Sequence, residues 1–227
     1  MAYFRHELKY LVTDAQVAAI ETRMNAIMQT DGHAVGRKRK EYRLASMYFD
    51  DLADSCYYDN ENGYDHREKW RIRIYNHSPE EIFLENKVKL HGMTHKHRCR
   101  LTKAETVALI LGKLFWKPDR GLLTDFLYEK NTRGFHPTVI TVYDRIPFIY
   151  PLGNVRITID RNISSSVDFR HFFDRRLAVR PVLAANTHLL EVKYDEFLPS
   201  FIHQCLQTEG LQRTSFSKYY LCRRYSL

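Results

Sequence analysis

Cationic residues recur at every second position in several stretches of the chain. Arg71 and Arg73 are separated by a single isoleucine, and Lys96 and Arg98 by a single histidine. The planar guanidinium of arginine can hold two phosphate oxygens at once, and lysine adds a movable point charge. Phosphoryl transfer requires mainly positioning and positive charge around the phosphate oxygens. The pattern therefore predicts a site for a phosphate-rich anion.

Carboxylates occupy the same alternating positions as the cations. Glu7, Glu85 and Glu191 each precede a lysine by two residues. A divalent ion that bridges phosphates needs hard oxygen ligands, and Mg²⁺ is commonly held by one or two carboxylates together with phosphate and water. These glutamates are therefore possible metal ligands, although Glu7 and Glu85 would serve equally well to neutralise neighbouring cations.

The elements that must position these residues are mainly strands, because polar and apolar residues alternate with a period of two. Short connections between consecutive runs indicate antiparallel pairing. The strands that we predict cover residues 3–12, 42–50, 67–75, 81–90, 93–101, 137–150, 154–163 and 187–195.

Two helices are predicted from capping boxes, one opening at Thr13 with Gln16 and the other at Thr102 with Glu105. The first should bury Val17, Ile20, Met24 and Ile27, and the second Val107, Ile110, Leu111 and Leu114. Weaker patterns predict helices near residues 122–128, 200–206 and 217–224. The fold class is therefore α+β.

Two arrangements of the strands explain their charged face. In an open sheet the charged face is simply hydrated. In a closed barrel of eight strands the apolar face lies under external helices and the charges line a lumen wide enough for a small ligand. Unpaired cations in a lumen are costly, so such a lumen must hold water and a thin, densely charged anion. A polyphosphate chain fits this description, and duplex DNA does not.

Composition limits the remaining possibilities. The 227 residues carry a net charge of +8 and are 44% hydrophobic, which excludes a disordered tail protein and indicates a polyanionic partner. With no linker or repeat, we predict a single domain over residues 1–227. Neither a secretory segment nor an apolar run of membrane-spanning length is present, and the four cysteines lack ligand or disulfide spacing. These features predict a cytoplasmic protein.

Nine short motifs in the chain resemble, in order, those of the vacuolar transporter chaperone (VTC) branch of the triphosphate tunnel metalloenzyme superfamily, the polyphosphate polymerase domain. They extend over nearly the whole chain. The motifs are Arg5-His6-Glu7-Leu8-Lys9-Tyr10, Ser46-Met47-Tyr48-Phe49-Asp50, Trp70-Arg71-Ile72-Arg73-Ile74-Tyr75, Leu84-Glu85-Asn86-Lys87, Lys96-His97-Arg98, Val142-Tyr143-Asp144-Arg145, Val155-Arg156-Ile157, Leu190-Glu191-Val192-Lys193 and Phe216-Ser217-Lys218-Tyr219.

The resemblance implies an antiparallel eight-stranded β-barrel tunnel with helices packed outside. It also implies transfer of the ATP γ-phosphate to inorganic polyphosphate with Mn²⁺ or Mg²⁺. Residues carried over as catalytic are Arg71, Arg73, Arg145 and Arg156. Residues carried over as substrate-binding are Lys9, Lys87, Lys96, Arg98, Lys193 and Lys218. Glu191 is carried over as the metal ligand, and Glu7, a carboxylate of the same alternating phase, is predicted as a second metal ligand.

One departure from the superfamily pattern bears on the reaction. The hydrolytic branch opens with Glu-x-Glu-x-Lys, whereas this chain has Arg5 in the first position. Loss of that carboxylate favours polymerase or pure binding over tripolyphosphatase activity. A non-catalytic polyphosphate or nucleotide-binding module stays open, as does a membrane-protein partner. The basic run Gly36–Lys40 is either a solvated loop or an entrance for polyanions. No specific nucleic acid is expected as a partner.

Overall fold

The computed structural model describes residues 6–34, 40–91, 93–114, 119–208 and 210–226. Its strands are β1 (His6–Thr13), β2 (Gln29–Thr30), β3 (Tyr42–Asp50), β4 (Arg67–Tyr75), β5 (Ile82–Leu90), β6 (Met93–Leu101), β7 (His136–Tyr150), β8 (Val155–Ser166), β9 (Arg180–Pro181) and β10 (Thr187–Tyr194). Its α-helices are α1 (Asp14–Ile27), α2 (Ser55–Glu61), α3 (Lys103–Ile110), α4 (Leu122–Arg133), α5 (Ser200–Leu206) and α6 (Lys218–Arg224).

Eight strands follow one path of hydrogen-bonded neighbours in the order β1-β10-β8-β7-β3-β4-β5-β6. The registered pairs along this path are antiparallel, as in β1 with β10 and β4 with β5. The predicted α+β class with an antiparallel eight-stranded sheet is thus confirmed. The short strands β2 and β9 and the helix α2 were not predicted. In the described part of the chain no helix is both long and apolar enough to span a bilayer.

The residues group into two compact units, each built from three segments of the chain. The first unit contains residues 1–43, 143–163 and 183–216, and the second contains residues 44–142, 164–182 and 217–227. The assignment of residues 1–227 to a single domain stays a prediction.

The first unit packs the apolar face of its strands against α1. The capping box at Thr13 is present, with Gln16 donating its backbone N–H to the Thr13 hydroxyl. Val17, Ile20 and Met24 of α1 are buried as predicted. They form one core with apolar strand residues that occupy the positions between the charged ones. These residues are Val12, Ile146, Phe148, Val155, Ile157, Ile159, Leu190 and Val192. The charged residues of β1, β8 and β10 therefore lie on the opposite face.

The second unit repeats this division of faces on β3, β4 and β5. Phe126 of α4 is fully buried, and its ring centroid lies 4.9 Å from that of Phe49 and 5.2 Å from that of Trp70. Ile72 and Leu84 lie on the same face and are also fully buried. Because the strands alternate, Arg71, Glu85 and their neighbours at every second position belong to the other face.

The predicted buried side of α3 is wrong. Its capping box is present at Thr102, but Val107 and Leu111 are exposed, and Glu105, Thr106 and Leu109 are buried instead. The Glu105 carboxylate both closes the capping box and pairs with Arg120 at 3.3 Å. These two contacts hold Glu105 inward and rotate the helix away from the orientation that its apolar pattern favours.

Candidate phosphate-binding faces

The charged face of the second unit is assembled by continuous antiparallel register. Tyr48 is opposite Arg71, Arg71 is opposite Glu85, and Glu85 is opposite Arg98. Residues that face each other in a pleated sheet point to the same side. Since the register of β5 with β6 runs without a bulge, Lys96 and Arg98 share this face.

Glu85 is the centre of this face. Its side chain is 1% exposed and contacts three cations. The Glu85 Oε2 atom lies 2.6 Å from Arg71 Nη2 and 3.9 Å from Arg73 Nη1. The Glu85 Oε1 atom accepts a hydrogen bond from Lys96 Nζ at 3.0 Å. One carboxylate thus holds three of the predicted site residues and leaves a net positive charge.

The charges of this cluster shift the pKa values of its members. Burial alone would raise the pKa of Glu85, but Arg71, Arg73 and Lys96 hold it well below its usual range. The Lys96 side chain is 42% exposed. Partial burial lowers its pKa to about 8, opposed by Glu85 and aided by the positive charges of Arg71 and Arg73. The Lys96 ammonium therefore loses its proton at a lower pH than an ordinary lysine does.

Neutral side chains complete the positioning of the two arginines. Arg71 Nη1 donates to the Tyr48 hydroxyl at 2.7 Å, and Arg73 Nε donates to Ser46 Oγ at 3.1 Å. The sequence analysis did not assign roles to Tyr48 and Ser46. Their spacing could have identified them, because Ser46 and Tyr48 are two residues apart in one motif. Residues two apart on a strand share a face of the sheet, and here it is the face that carries Arg71 and Arg73.

The other predicted residues of the second unit lie at different places. Lys87 is opposite Lys96, and Arg98 is exposed with its guanidinium 5.0 Å from the Phe83 ring centroid. Lys218 is the first residue of α6. Lys69, which the sequence analysis did not single out, is opposite Lys87.

The charged face of the first unit centres on Glu191, which is 4% exposed. Its Oε2 atom accepts from Lys193 Nζ at 2.8 Å. The same ammonium lies 3.7 Å from Glu7 Oε1, and Lys9 Nζ lies 3.2 Å from that oxygen. Four predicted residues are therefore brought together, with two lysines and two glutamates in contact.

The two predicted arginines of the first unit are each fixed by an aspartate. Arg145 donates two hydrogen bonds to the fully buried Asp160, at 2.6 and 2.8 Å, and lies 3.6 Å from Glu191. Burial opposes the charge of Arg145, but Asp160 raises the pKa of this guanidinium well above its usual range. Arg156 donates to Asp31 at 2.7 Å and to the Tyr42 hydroxyl at 3.1 Å. No sequence motif pointed to Asp31.

Two carboxylates of this unit, Glu191 and Glu7, are candidate ligands for a divalent cation. One ammonium, that of Lys193, contacts both Glu191 and Glu7, so a positive ion at that point is within reach of both carboxylates. In residues 6–34, 40–91, 93–114, 119–208 and 210–226, no group of three or more His, Cys, Asp and Glu side chains is able to hold a metal. Two carboxylates with phosphate and water match the usual coordination of Mg²⁺.

Two sequence-level features lie outside the described residues. They are Arg5, which replaces the first carboxylate of the hydrolytic pattern, and residues 35–39, which contain most of the basic run.

The fold and the two faces define an antiparallel α+β protein whose strands carry a core on one side and paired arginine, lysine and glutamate on the other. The fold is similar to that of a candidate adenylate cyclase from Bacillus halodurans, with a TM-score of 0.52 and 12% identity, over 88% of this chain and 84% of that one. It is also similar to a candidate adenylyl cyclase from Hippeastrum with dominant triphosphatase activity, with a TM-score of 0.51 and 13% identity, over 99% of this chain and 97% of that one. No curated protein matches the sequence.

The VTC domain model matches residues 4–226, and the chain therefore belongs to the VTC domain family. The resemblance that the nine motifs indicated is confirmed.

Proposed function

We propose that the chain is a metal-dependent phosphotransferase that moves the γ-phosphate of ATP onto inorganic polyphosphate. The observation that carries the proposal is the match of a VTC domain to residues 4–226, together with the cationic faces on which the predicted residues lie. In both units a buried glutamate holds cations in fixed positions, as at Glu85 and Glu191. Preorganised charge of this kind stabilises a phosphoryl group without rearrangement during the reaction.

The residues of the second unit would bind phosphate oxygens. Arg71 and Arg73 are oriented by Glu85, Tyr48 and Ser46, so both guanidinium groups are held in a defined direction. Lys96 supplies a charge that responds to pH. No nucleophilic side chain is required, because the attacking oxygen belongs to the terminal phosphate of the acceptor chain.

The residues of the first unit would hold the cation and further phosphate oxygens. Glu191 and Glu7 would bind Mn²⁺ or Mg²⁺, and Lys9 and Lys193 would be released towards phosphate when the cation takes their place. When bound, the ion supplies positive charge to the phosphate oxygens. Arg145 is held by Asp160, and its charge acts from a fixed position near Glu191.

The test is incubation of the purified protein with ATP and Mn²⁺, with and without a short polyphosphate primer. ADP formation and polymer length are followed together. Lengthening of the polymer in step with ADP supports the proposal. Tight polyphosphate binding without turnover would instead make the protein a non-catalytic binding module.

Matched variants sharpen this test. Arg71→Ala and Glu191→Ala should each abolish turnover, with the far-UV circular dichroism spectrum unchanged. Arg43→Ala is the control, because Arg43 is an arginine that pairs with Asp144 and lies outside the predicted set. Full activity of Arg71→Ala and Glu191→Ala would refute the residue assignments.

Tripolyphosphatase activity is the second candidate. It is favoured by the dominant triphosphatase activity of the similar Hippeastrum protein. Release of orthophosphate from tripolyphosphate without polymer lengthening would identify it. We place the reaction in the cytoplasm, where ATP is available, and keep a membrane-protein partner as a proposal.

A further inference from the structure

Two histidines lie side by side on β6, the last strand of the eight-strand path. His95 and His97 are two residues apart, so both side chains project to the same side of the strand. Their Cα atoms are about 6.6 Å apart at the usual rise per residue. Their ring centroids, however, are only 4.1 Å apart, with an angle of 85° between the ring planes. The two imidazoles therefore lean towards each other.

A third polar side chain lies beside this pair. Asn86 of β5 is directly opposite His97, so it shares the face of the two histidines, and the Cβ atoms of such a pair are about 4.5–5.5 Å apart. Asn86 is 7% exposed, and its Oδ1 atom is buried with no hydrogen-bond partner among the described residues. A buried acceptor of this kind is costly unless a donor or a cation reaches it.

The positive charges next to the histidines in the sequence belong to the other face of the sheet. Lys96 pairs with Glu85 at 3.0 Å, and the Arg98 guanidinium lies 5.0 Å from the Phe83 ring centroid. Alternation along β6 places both cations on the side opposite to the imidazoles. A cation that approaches the histidines therefore does not meet these two charges directly.

The three side chains differ in their access to solvent. His97 is exposed and His95 is partly exposed, whereas Asn86 is buried. An ion from solvent can therefore reach the imidazole rings directly, and the amide oxygen of Asn86 lies behind them. This order resembles a shallow site with an open outer position, in which a water molecule completes the coordination.

The type of donor atom selects the ion. Imidazole nitrogen suits Zn²⁺, Cu²⁺ and Ni²⁺, whereas Mg²⁺ and Mn²⁺ prefer oxygen. Zinc binds histidine nitrogen at about 2.0–2.1 Å in tetrahedral geometry, so two nitrogens on one ion are about 3.3 Å apart. Rings with centroids 4.1 Å apart can reach this separation by side-chain rotation. The amide oxygen of Asn86 is a possible third ligand.

We propose that His95, His97 and Asn86 form a binding site for a divalent transition metal ion of the Zn²⁺ type, with water as the fourth ligand. The ion would join β6 to β5 through side chains and stabilise this end of the sheet. The site uses imidazole nitrogen and lies on the face opposite to the paired cations, so it does not depend on the proposed phosphotransferase function.

The test is titration of the full chain with Zn²⁺ alone, in competition with a chromogenic chelator and without nucleotide or phosphate. Loss of even an indirect partner of a metal ligand costs about 10–100-fold in affinity, so His95→Gln and His97→Gln should each weaken Zn²⁺ binding at least about tenfold. Asn86→Leu, which removes the oxygen but keeps a similar volume, should also weaken it. Asn86→Asp should retain binding, because a carboxylate oxygen replaces the amide oxygen. Zn²⁺ should raise the thermal unfolding midpoint of the wild type more than that of the histidine variants.

His136→Gln is the matched control, because His136 is an exposed histidine at the start of β7. Its removal should leave the Zn²⁺ affinity unchanged. Wild-type affinity in His95→Gln or His97→Gln would overturn the proposal and leave the two rings as an edge-to-face contact. Wild-type affinity in Asn86→Leu would overturn the three-ligand site. The buried Asn86 oxygen would then be explained by a water shared with Trp70 Nε1, which lies opposite Asn86 and is also unpaired among the described residues.

Discussion

At the scale of residues, the charged faces are networks in which glutamates hold the cations. Glu85 contacts Arg71, Arg73 and Lys96, and its side chain is almost fully buried. Removing one partner of a buried ion pair leaves uncompensated charge and is strongly destabilising. The positions of Arg71 and Arg73, which we propose as phosphate ligands, are therefore linked to the stability of the sheet itself.

Glu85→Gln should lower the free energy of unfolding by about 3 kcal/mol at pH 7, because three cations lose their common counter-charge. The pKa of Glu85 is lowered in the folded protein, so its contribution is present at neutral pH and is lost as pH falls below about 4.3, the ordinary value. Urea unfolding at pH 7 and pH 3.5 measures both effects.

The control for this variant is Glu80→Gln, a substitution at an exposed position that should change stability by less than about 0.5 kcal/mol. A stability of Glu85→Gln equal to that of the wild type at pH 7 would contradict the central role of Glu85.

We expect Lys96 to make anion binding dependent on pH. Its pKa of about 8 in the folded protein lies below the ordinary lysine value, so the ammonium loses its proton as pH rises through 8. Tripolyphosphate affinity should therefore fall between pH 7 and pH 9. Lys96→Arg keeps its charge over this range and should show a smaller fall, which separates the titration of Lys96 from that of the ligand. Equal pH profiles for the two proteins would disprove the assignment.

At the scale of elements, α6 is attached to the rest of its unit by an acid at the end of β3 and an acid in the turn before α2. The Tyr219 hydroxyl donates to Asp50, and Arg223 contacts both oxygens of Asp54 at 2.9 and 3.1 Å. Burial and the charge of Asp50 raise the pKa of Tyr219, so this hydroxyl stays protonated as a donor. Ser217 directly precedes α6, and its Oγ atom accepts a hydrogen bond from Lys69 Nζ at 3.1 Å. The contacts of α6 therefore also position this acceptor.

Tyr219→Phe should reduce the free energy of unfolding by about 1–3 kcal/mol, because the buried Asp50 loses one of its donors. Tyr220→Phe is the control, since its hydroxyl contacts Glu61 at an exposed position. Its effect should be below about 1 kcal/mol. Urea denaturation of the two variants measures both free energies of unfolding. Equal losses of stability would show that the hydrogen bond from Tyr219 to Asp50 contributes no more than the exposed one.

At the scale of the whole molecule, the net charge of +8 attracts polyanions of every kind. Long-range attraction is screened by salt, with a Debye length of about 8 Å at physiological ionic strength. Selectivity must then come from the ordered cations of the sheet faces. The contribution of the net charge to polyanion binding can therefore be separated by experiment from that of the ordered cations.

Polyphosphate should displace a single-stranded RNA from the protein, and the RNA should fail to displace polyphosphate at physiological salt. The reason is that nonspecific phosphate contacts weaken steeply as salt increases. Fluorescence anisotropy with labelled RNA and labelled polyphosphate of equal charge measures both directions. Stronger binding of the RNA would instead indicate a nucleic-acid-binding protein.

The period-two alternation of the sequence was sufficient to predict the bounds of β3, β4 and β6. It succeeded there because the alternation of side chains is a local consequence of strand geometry. The capping boxes at Thr13 and Thr102 were likewise local and were confirmed. Helix α2 was missed because its first turn is capped by Asp50 and Asp51, which belong to the end of a strand and its turn.

The fold class and the alternation of charged and apolar faces follow from the amino-acid sequence alone, since both depend on residues close together along the chain. The family follows from the order of the nine motifs. Which charges meet depends on the fold. The contact of Arg156 with Asp31 joins residues 125 positions apart, and the row of Lys69, Lys87 and Lys96 depends on the register of three strands. Register is set by hydrogen bonding and core packing across the sheet, and a shift of one residue would turn every side chain to the other face.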